Sequence, residues 1–308
     1  MPIRVLKPGL FTTLQDLGRP GYAHLGISIC GAADALSFRL ANLLAGNEQN
    51  APALEMTLLG PTLEFGENVI IALTGSECGV RLGSDPIPSD TTLEVPAGSV
   101  LTCGSMATGA RCYLAVQGGF DVPLTMGSAS TDVRAGFGGV YGRRLQSGDV
   151  LHVRSRHHQP VRSLPPSLLD DLNHSGPIRV TKGAQRDWFD PEAFEQLYSS
   201  AYTVSDLWDR AGLRLKGEVL RPREPLQLLT DGIPLGAIQV PQDGHPIILF
   251  VDQQTTGGYP KIGNVIAADI HRVGQLRPRQ EVRFAEVSIP EAIQALREQE
   301  RLLQDILR

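Results

Sequence analysis

Apolar residues recur along most of this chain in short runs, each closed off by glycine, proline or a polar cluster, which is the pattern of strands joined by tight turns. Ile3-Arg-Val-Leu6 alternates and runs into the turn Pro8-Gly9. Leu54–Met56, Val69–Leu73, Leu93–Val95, Arg111–Val116 and Val150–Val153 repeat the pattern. Two windows depart from it. From Asp34 to Gly46, Leu36, Leu40, Leu43 and Leu44 fall at helical spacing, with Asp34 placed to cap the start and Gly46 just past the end. Ser288-Ile-Pro-Glu291 is a capping box with proline in the first turn, leading an amphipathic helix through Leu296, Leu303 and Ile306. The stretch Phe11–Gly21 has loop composition. The pattern predicts a mainly β protein with a few short helices and a C-terminal helix.

The second half restates the first. Ile178-Arg-Val-Thr-Lys-Gly183 echoes Ile3-Arg-Val-Leu-Lys-Pro-Gly9; Pro246–Asp252 followed by Gly257-Gly258 echoes Cys112–Val116 followed by Gly118-Gly119; Gln280–Phe284 echoes Asp149–Val153. Correspondences in the same order indicate duplication. The division expected is a β domain over 1–155, a basic, proline-broken linker over 156–177, and a second β domain over 178–308, each sized for a small barrel.

Composition narrows the function classes. The 308 residues carry a net charge of −5, which leaves no cationic excess to neutralise nucleic-acid phosphates, and 33 Gly with 22 Pro reinforce the reading of frequent turns. Cys30, Cys78, Cys103 and Cys112 form no CxxC pair and sit in or beside apolar runs, as buried free thiols of a reducing compartment do. The sequence starts on strand-like residues without a signal peptide, and it has no uncharged apolar run of membrane-spanning length. A cytoplasmic protein with neither nucleic acid nor membrane as partner is expected.

The candidate chemistry lies in polar loops. Asp252-Gln-Gln-Thr-Thr-Gly-Gly-Tyr-Pro260 follows a buried strand and joins an acid, amides and hydroxyls to a glycine pair that lets a backbone approach a ligand; a long hairpin has the same composition. Gln15, Asp16 and Arg19 form a second group, either a site or an ion pair across a turn. Gly127-Ser-Ala-Ser-Thr-Asp132 supplies Ser128, Ser130, Thr131 and Asp132 in a loop able to bind an anion through backbone N–H groups. The Walker and dinucleotide spacings are absent. Arg210 and Arg214 could clamp a carboxylate, although Arg214 between two leucines also reads as a strand residue facing water. Gln239 is a lone amide among apolar neighbours. Neither a nucleophile triad nor a zinc motif occurs, and His152, His157 and His158 lack completing ligands, so no metal site is assigned. Substrate contact is placed on Arg214, Gln239, Gln254, Thr255, Thr256, Gly257 and Gly258, together with Gln15, Asp16, Arg19, Ser128, Ser130, Thr131 and Asp132. Asp252, Tyr259 and Arg210 are the candidate catalytic residues.

Six motifs are familiar: Phe11–Arg19, Cys30-Gly-Ala-Ala-Asp34, Arg111–Gly119, Gly127–Asp132, Gly236–Pro241 and Gln254–Pro260. Together they resemble the biotin-dependent carboxyltransferase family, which includes the C-type subunit of 5-oxoprolinase, the second subunit of allophanate hydrolase and the carboxyltransferase part of urea carboxylase. The resemblance implies two tandem cyclophilin-like β-barrels. It also implies an ATP-dependent assembly with companion subunits of the B and A types that opens the lactam of 5-oxo-L-proline to L-glutamate. ATP would enter at the level of the complex, and biotin only through a partner, because no biotinyl-lysine signature occurs. The alternatives that it leaves are carboxyl transfer to a urea-like amide and a non-catalytic subunit that binds a kinase-inhibitor-type partner.

Overall fold

The structure, a computed structural model, describes residues 2–154, 164, 176–223 and 228–305. The fold is mainly β, and among the described residues the α-helices are α1 (Ala35–Leu44), α2 (Pro191–Ser199), α3 (Ile270–Gln275) and α4 (Ile289–Asp305). Backbone proximity separates two compact units. One is built from Met1–Arg19, Cys30–Asp170 and Leu303–Arg308, the other from Pro20–Ile29 and Asp171–Leu302. Most of the linker expected over 156–177, with His157 and His158, lies outside the described residues, as does Ile306.

In the first unit, the strand Pro2–Lys7 turns Ile3 and Val5 inward, fully buried, and runs antiparallel between Val150–His152 and Thr62–Phe65. A second, five-stranded antiparallel sheet is ordered Phe11–Gln15, Ala53–Thr57, Arg111–Val116, Val69–Gly75, Thr92–Val95. Every residue of Arg111–Val116 is buried. The alternation expected of a half-exposed strand is lost there because α1 packs across it and across Val69–Gly75. Asp34 caps α1 as its spacing predicts, accepting from Ser37 N at 2.8 Å and Ser37 Oγ at 2.6 Å.

The loop composition of Phe11–Gln15 misled. This segment is a strand paired in register with Ala53–Thr57, and Thr12, Thr13, Leu14 and Gln15 are all buried. Thr12 Oγ1 donates to Pro8 O at 2.7 Å and Gln15 Nε2 to Thr13 Oγ1 at 3.0 Å. Polar side chains that are paired this way can line a buried strand without an apolar period.

The second unit holds an eight-stranded sheet ordered Glu281–Val282, Tyr202–Trp208, Gly212–Lys216, Ile247–Leu249, Ala237–Gln239, Lys261–Val265, Ile178–Lys182, Phe284–Glu286. Its two edge strands are separated in sequence by Arg283 alone, so the sheet wraps almost fully round into a barrel-like form. The echo between the halves stops short of their ends: Ile178–Lys182 runs parallel to Phe284–Glu286, whereas Pro2–Lys7 runs antiparallel to Val150–His152. The capping box forms as read, with Ser288 N and Oγ both donating to Glu291 Oε2 at 2.7 Å. The helix behind it reaches the unit's body through Gln299 Nε2, which donates to Ala268 O at 3.1 Å. The helices α2 and α3 were not foreseen, although Asp190-Pro191 is a legible helix start.

The turn at Gly9 links the two sheets of the first unit. Its φ is +73°, and a Cβ there would lie 2.4 Å from Leu59 O, a backbone atom with no room to yield. Gly9→Ala should therefore lower stability by about 1–3 kcal/mol, read as a fall in the denaturant midpoint at unchanged m-value.

Candidate functional site

The sequence-predicted polar residues gather in two places, one in each unit. In the first unit, Asp16 follows the strand Phe11–Gln15 and is buried. Its Oδ1 accepts from Gly18 N at 2.8 Å and from Ser128 Oγ and Ser130 Oγ, both at 2.6 Å, while Oδ2 accepts from Ala129 N at 2.6 Å. Thr131 Oγ1 donates to Leu14 O at 2.8 Å. Asp132 accepts from Ala135 N at 2.9 Å and from Cys30 Sγ at 3.5 Å. Arg19 donates to Ser130 O and lies over the Phe137 ring, 4.8 Å from its centroid. The loop is thus clamped round a carboxylate of its own chain. Among the described residues, Gln15 Oε1 and Arg19 Nη1 are buried here without a hydrogen-bond partner.

Beside this cluster, buried Glu55 accepts from Ala33 N at 2.8 Å and from Tyr113 OH at 2.7 Å, and Asp34 N donates to the Tyr113 oxygen at 2.7 Å. Burial and the negative charges of Glu55 and Asp34 push the Tyr113 phenol well above its usual range. It stays a neutral donor.

In the second unit, Asp252 and Arg210 meet each other. Arg210 Nε and Nη2 donate to Asp252 Oδ2 and Oδ1 at 2.8 and 2.9 Å, and both residues are buried. Asp252 N also donates to Arg210 O at 2.8 Å, so the pair pins the start of the 252–260 loop. Arg214 is half-exposed and pairs with Asp243 at 2.9 Å, the water-facing alternative of the sequence reading.

Downstream the loop is more open. Gln254, Thr256 and Gly258 are exposed, Thr255 and Gly257 half-buried, and Tyr259 is 46% exposed. Thr256–Gly257 pairs with Asp231–Gly232. A Cβ on Gly257 would come within 3.1 Å of Gln239 Nε2, so the missing side chain is what lets the loop lie against that buried amide. Gln239 Nε2 donates to Tyr259 O at 3.5 Å.

The residue that completes this group was not foreseen. Lys261 is the register partner of Gln239 across adjacent strands, and its side chain is 3% exposed. Its Nζ donates to Asp231 Oδ2 at 2.9 Å, and Asp231, exposed to solvent, is its one side-chain partner among the described residues. Gln185 braces the pair, accepting from Lys261 N at 3.1 Å and donating to Asp231 Oδ2 at 3.4 Å. The lysine's hydrogen bond, followed by that of Gly232 N, holds the Asp231 carboxyl below its ordinary 3.8. A lysine directly after the Gln254–Pro260 motif, opening the strand Lys261–Val265, was the available signal. For Gln185 there was none. Two ammonium N–H bonds and a side-chain amide at the foot of a half-open loop can hold the oxygens of a small amide, lactam or carboxylate.

Other places are less provided. A cavity of about 420 Å³ is lined by Asn68, Val69, Ile70, Glu94, Val95, Pro96 and Gln117, with Glu94 its single charge, and lies at neither cluster. Among the described residues, no group of three or more His, Cys, Asp or Glu is placed to hold a metal ion, and no helix is long and apolar enough to cross a membrane.

Comparison with known proteins gives concordant results. Residues 25–286 match the family described as carboxyltransferase domain, subdomain A and B. The chain is 39% identical to the C-type subunit of 5-oxoprolinase from Escherichia coli (strain K12), over 99% of this chain and 97% of that protein. It is 34% identical to urea amidolyase of Saccharomyces cerevisiae over 93% of this chain and 17% of that protein. The crystal structure of the K. lactis urea amidolyase superimposes with a TM-score of 0.93 at 33% identity, over 99% of this chain and 20% of that one. The chain thus spans nearly all of the bacterial relative and about a fifth of the K. lactis urea amidolyase chain.

The geometry separates an anchoring pair from an available one. Arg210→Met strands a buried carboxylate and should cost about 3–5 kcal/mol in denaturant unfolding. Lys261→Met should instead return the Asp231 carboxyl upward toward 3.8, followed by carbon-13 NMR titration. Because the native carboxyl lies low, the pair stabilises the fold above the unfolded value, and that contribution is lost as pH falls through the native one.

Proposed function

Since this chain belongs to the carboxyltransferase family of subdomains A and B, we propose that it is the C-type subunit of an ATP-dependent 5-oxoprolinase assembly, opening 5-oxo-L-proline to L-glutamate. The observation that carries this reading is the 39% identity, from end to end, to the corresponding subunit of a bacterial 5-oxoprolinase. The second-unit cluster supports it chemically. A five-membered lactam with a carboxylate offers two sets of oxygens, and Lys261 Nζ and Gln239 Nε2 are donors held on adjacent strands with Asp231 orienting the ammonium. Tyr259, Gln254, Thr255, Thr256 and the Gly257-Gly258 backbone form the rim. Asp252 and Arg210 act by fixing the loop. In the first unit, Asp16, Ser128, Ser130 and Thr131 hold the chain together, which leaves the open atoms of Gln15 and Arg19 as the groups there that could meet a ligand.

ATP belongs to the assembly. The N-terminus of α1, where a phosphate would be favoured, is already filled by the Asp34 carboxylate, and no glycine-rich cradle precedes any described helix. The nucleotide therefore falls to a partner, and the B- and A-type subunits, in the cytoplasm, are the partners proposed. The urea amidolyase match favours a second reading, carboxyl transfer to a urea-like amide.

Mixing the purified chain with both companion subunits should give ATP-dependent glutamate release from 5-oxoproline that disappears when this chain is left out. Lys261→Met and Gln239→Ala should each lower that rate on the order of 10², with the fold intact by circular dichroism. Absence of release, with carboxylation of urea once a biotin carboxylase partner is added, would turn the assignment to the second reading.

A further inference from the structure

Three of the four cysteines converge in the first unit, away from both polar clusters. Cys78, Cys103 and Cys112 belong to one buried apolar cluster that also contains Met56 and Met106. The backbone sets them there. Gly104 N donates to Cys78 O at 2.6 Å, which brings Cys103 and Cys78 onto chains one hydrogen bond apart. Across that contact the Cys78 and Cys103 thiols are hydrogen-bonded to each other, so the two sulfurs start adjacent. Cys112 is opposite Gly75, and Ser76 N donates to Arg111 O at 2.8 Å, which delivers Cys78 to the same spot from the other side.

The three thiols are not equivalent. Cys112 lies in the fully buried strand Arg111–Val116, whereas Cys78 sits between exposed Glu77 and Gly79, one residue beneath the surface. The Cys103 and Cys112 S–H groups donate to the Cys78 sulfur and lower its pKa, while that same contact and burial push theirs up. The thiolate is the nucleophilic form, and of the three only Cys78 has an exposed residue on each side, so it is the sulfur that reacts first.

We propose that Cys78 and Cys103 are an oxidative modification site: a hydrogen-peroxide-class oxidant converts them to a disulfide inside the folded unit. The Cys78 thiolate attacks one peroxide oxygen, the O–O bond breaks, and the departing hydroxide takes a proton to leave as water, giving a sulfenic acid. The Cys103 sulfur then attacks the Cys78 sulfur, the S–O bond breaks, and the hydroxyl leaves with the Cys103 proton as a second water. The two sulfurs together lose two electrons and the peroxide gains them. Cys30 takes no part, since its thiol donates to Asp132 Oδ2 instead.

Treating the full chain with hydrogen peroxide under native conditions, alkylating in denaturant and mapping the peptides tests this. The expected result is a 78–103 linked peptide that dithiothreitol reverses, with Cys30 fully alkylated. Cys78→Ala should abolish the linked peptide and slow oxidation at Cys103 at least about tenfold. Cys103→Ala should leave Cys78 as a sulfenic acid trapped by dimedone, and Cys30→Ala should behave as the parent. Oxidation of Cys30 as fast as Cys78, a predominant 78–112 bond, or untouched thiols at 78 and 103 would each overturn the proposal.

Discussion

Asp16 has given up water, and both of its oxygens are met from within the chain by two hydroxyls and two backbone N–H groups. A buried carboxylate left short of such partners costs several kcal/mol, so the loop carrying Ser128, Ala129 and Ser130 has to come to it. The same demand recurs at other places. Glu55 is met by Ala33 N and Tyr113, and Asp252 by the fork of Arg210. At Asp269 burial pushes the carboxyl up, and hydrogen bonds from Arg179 with the charge of Arg272 outweigh it and hold the group low. Buried carboxylates tie together segments far apart in sequence.

That constraint sorts polar residues which composition alone cannot separate. Asp16, Ser128, Ser130 and Asp252 have the residue types of a site, yet their hydrogen-bonding capacity is spent on the fold. Lys261 and Gln239 sit as deep, but their donors are not all spent, and the loop above them is half-open. Motif recurrence reports that residues matter. Only the partner of each atom reports whether they hold the protein or its ligand.

The strands and both capped helices were legible because their signals are local: alternation at Ile3–Leu6, helical spacing from Leu36 to Leu44, the Ser288–Glu291 box. Phe11–Gln15 was not, since its inward side chains are largely polar, and beside the local partners Pro8 O and Thr13 they are satisfied by Thr131 O, which no local window of sequence contains. The site behaved likewise. The stretch 252–260 announced itself by composition, whereas Arg214, placed among the substrate contacts, is half-exposed and paired with Asp243, the alternative that its position between two leucines left open. Lys261 was passed over because a lysine in a strand is ordinarily a solvated residue. Its depth follows from a register with Gln239 and a bulge that only the folded sheet fixes.

The pairing of buried Lys261 with exposed Asp231 explains how such a group can be both stable and usable. The attraction between two unit charges at a fixed separation is about fourfold weaker in water than at an effective dielectric of about 20. Asp231 faces water, so the pair lies toward the weaker limit, enough to aim the ammonium but not to consume it. A ligand oxygen that displaces Asp231 returns that carboxylate to solvent at small cost, while the lysine stays buried and exchanges one acceptor for another. The Arg210–Asp252 pair has no such exit, because both partners are buried and bound at two points. Solvent exposure of the counter-ion, more than the identity of the cation, therefore decides which of the two pairs can open for chemistry.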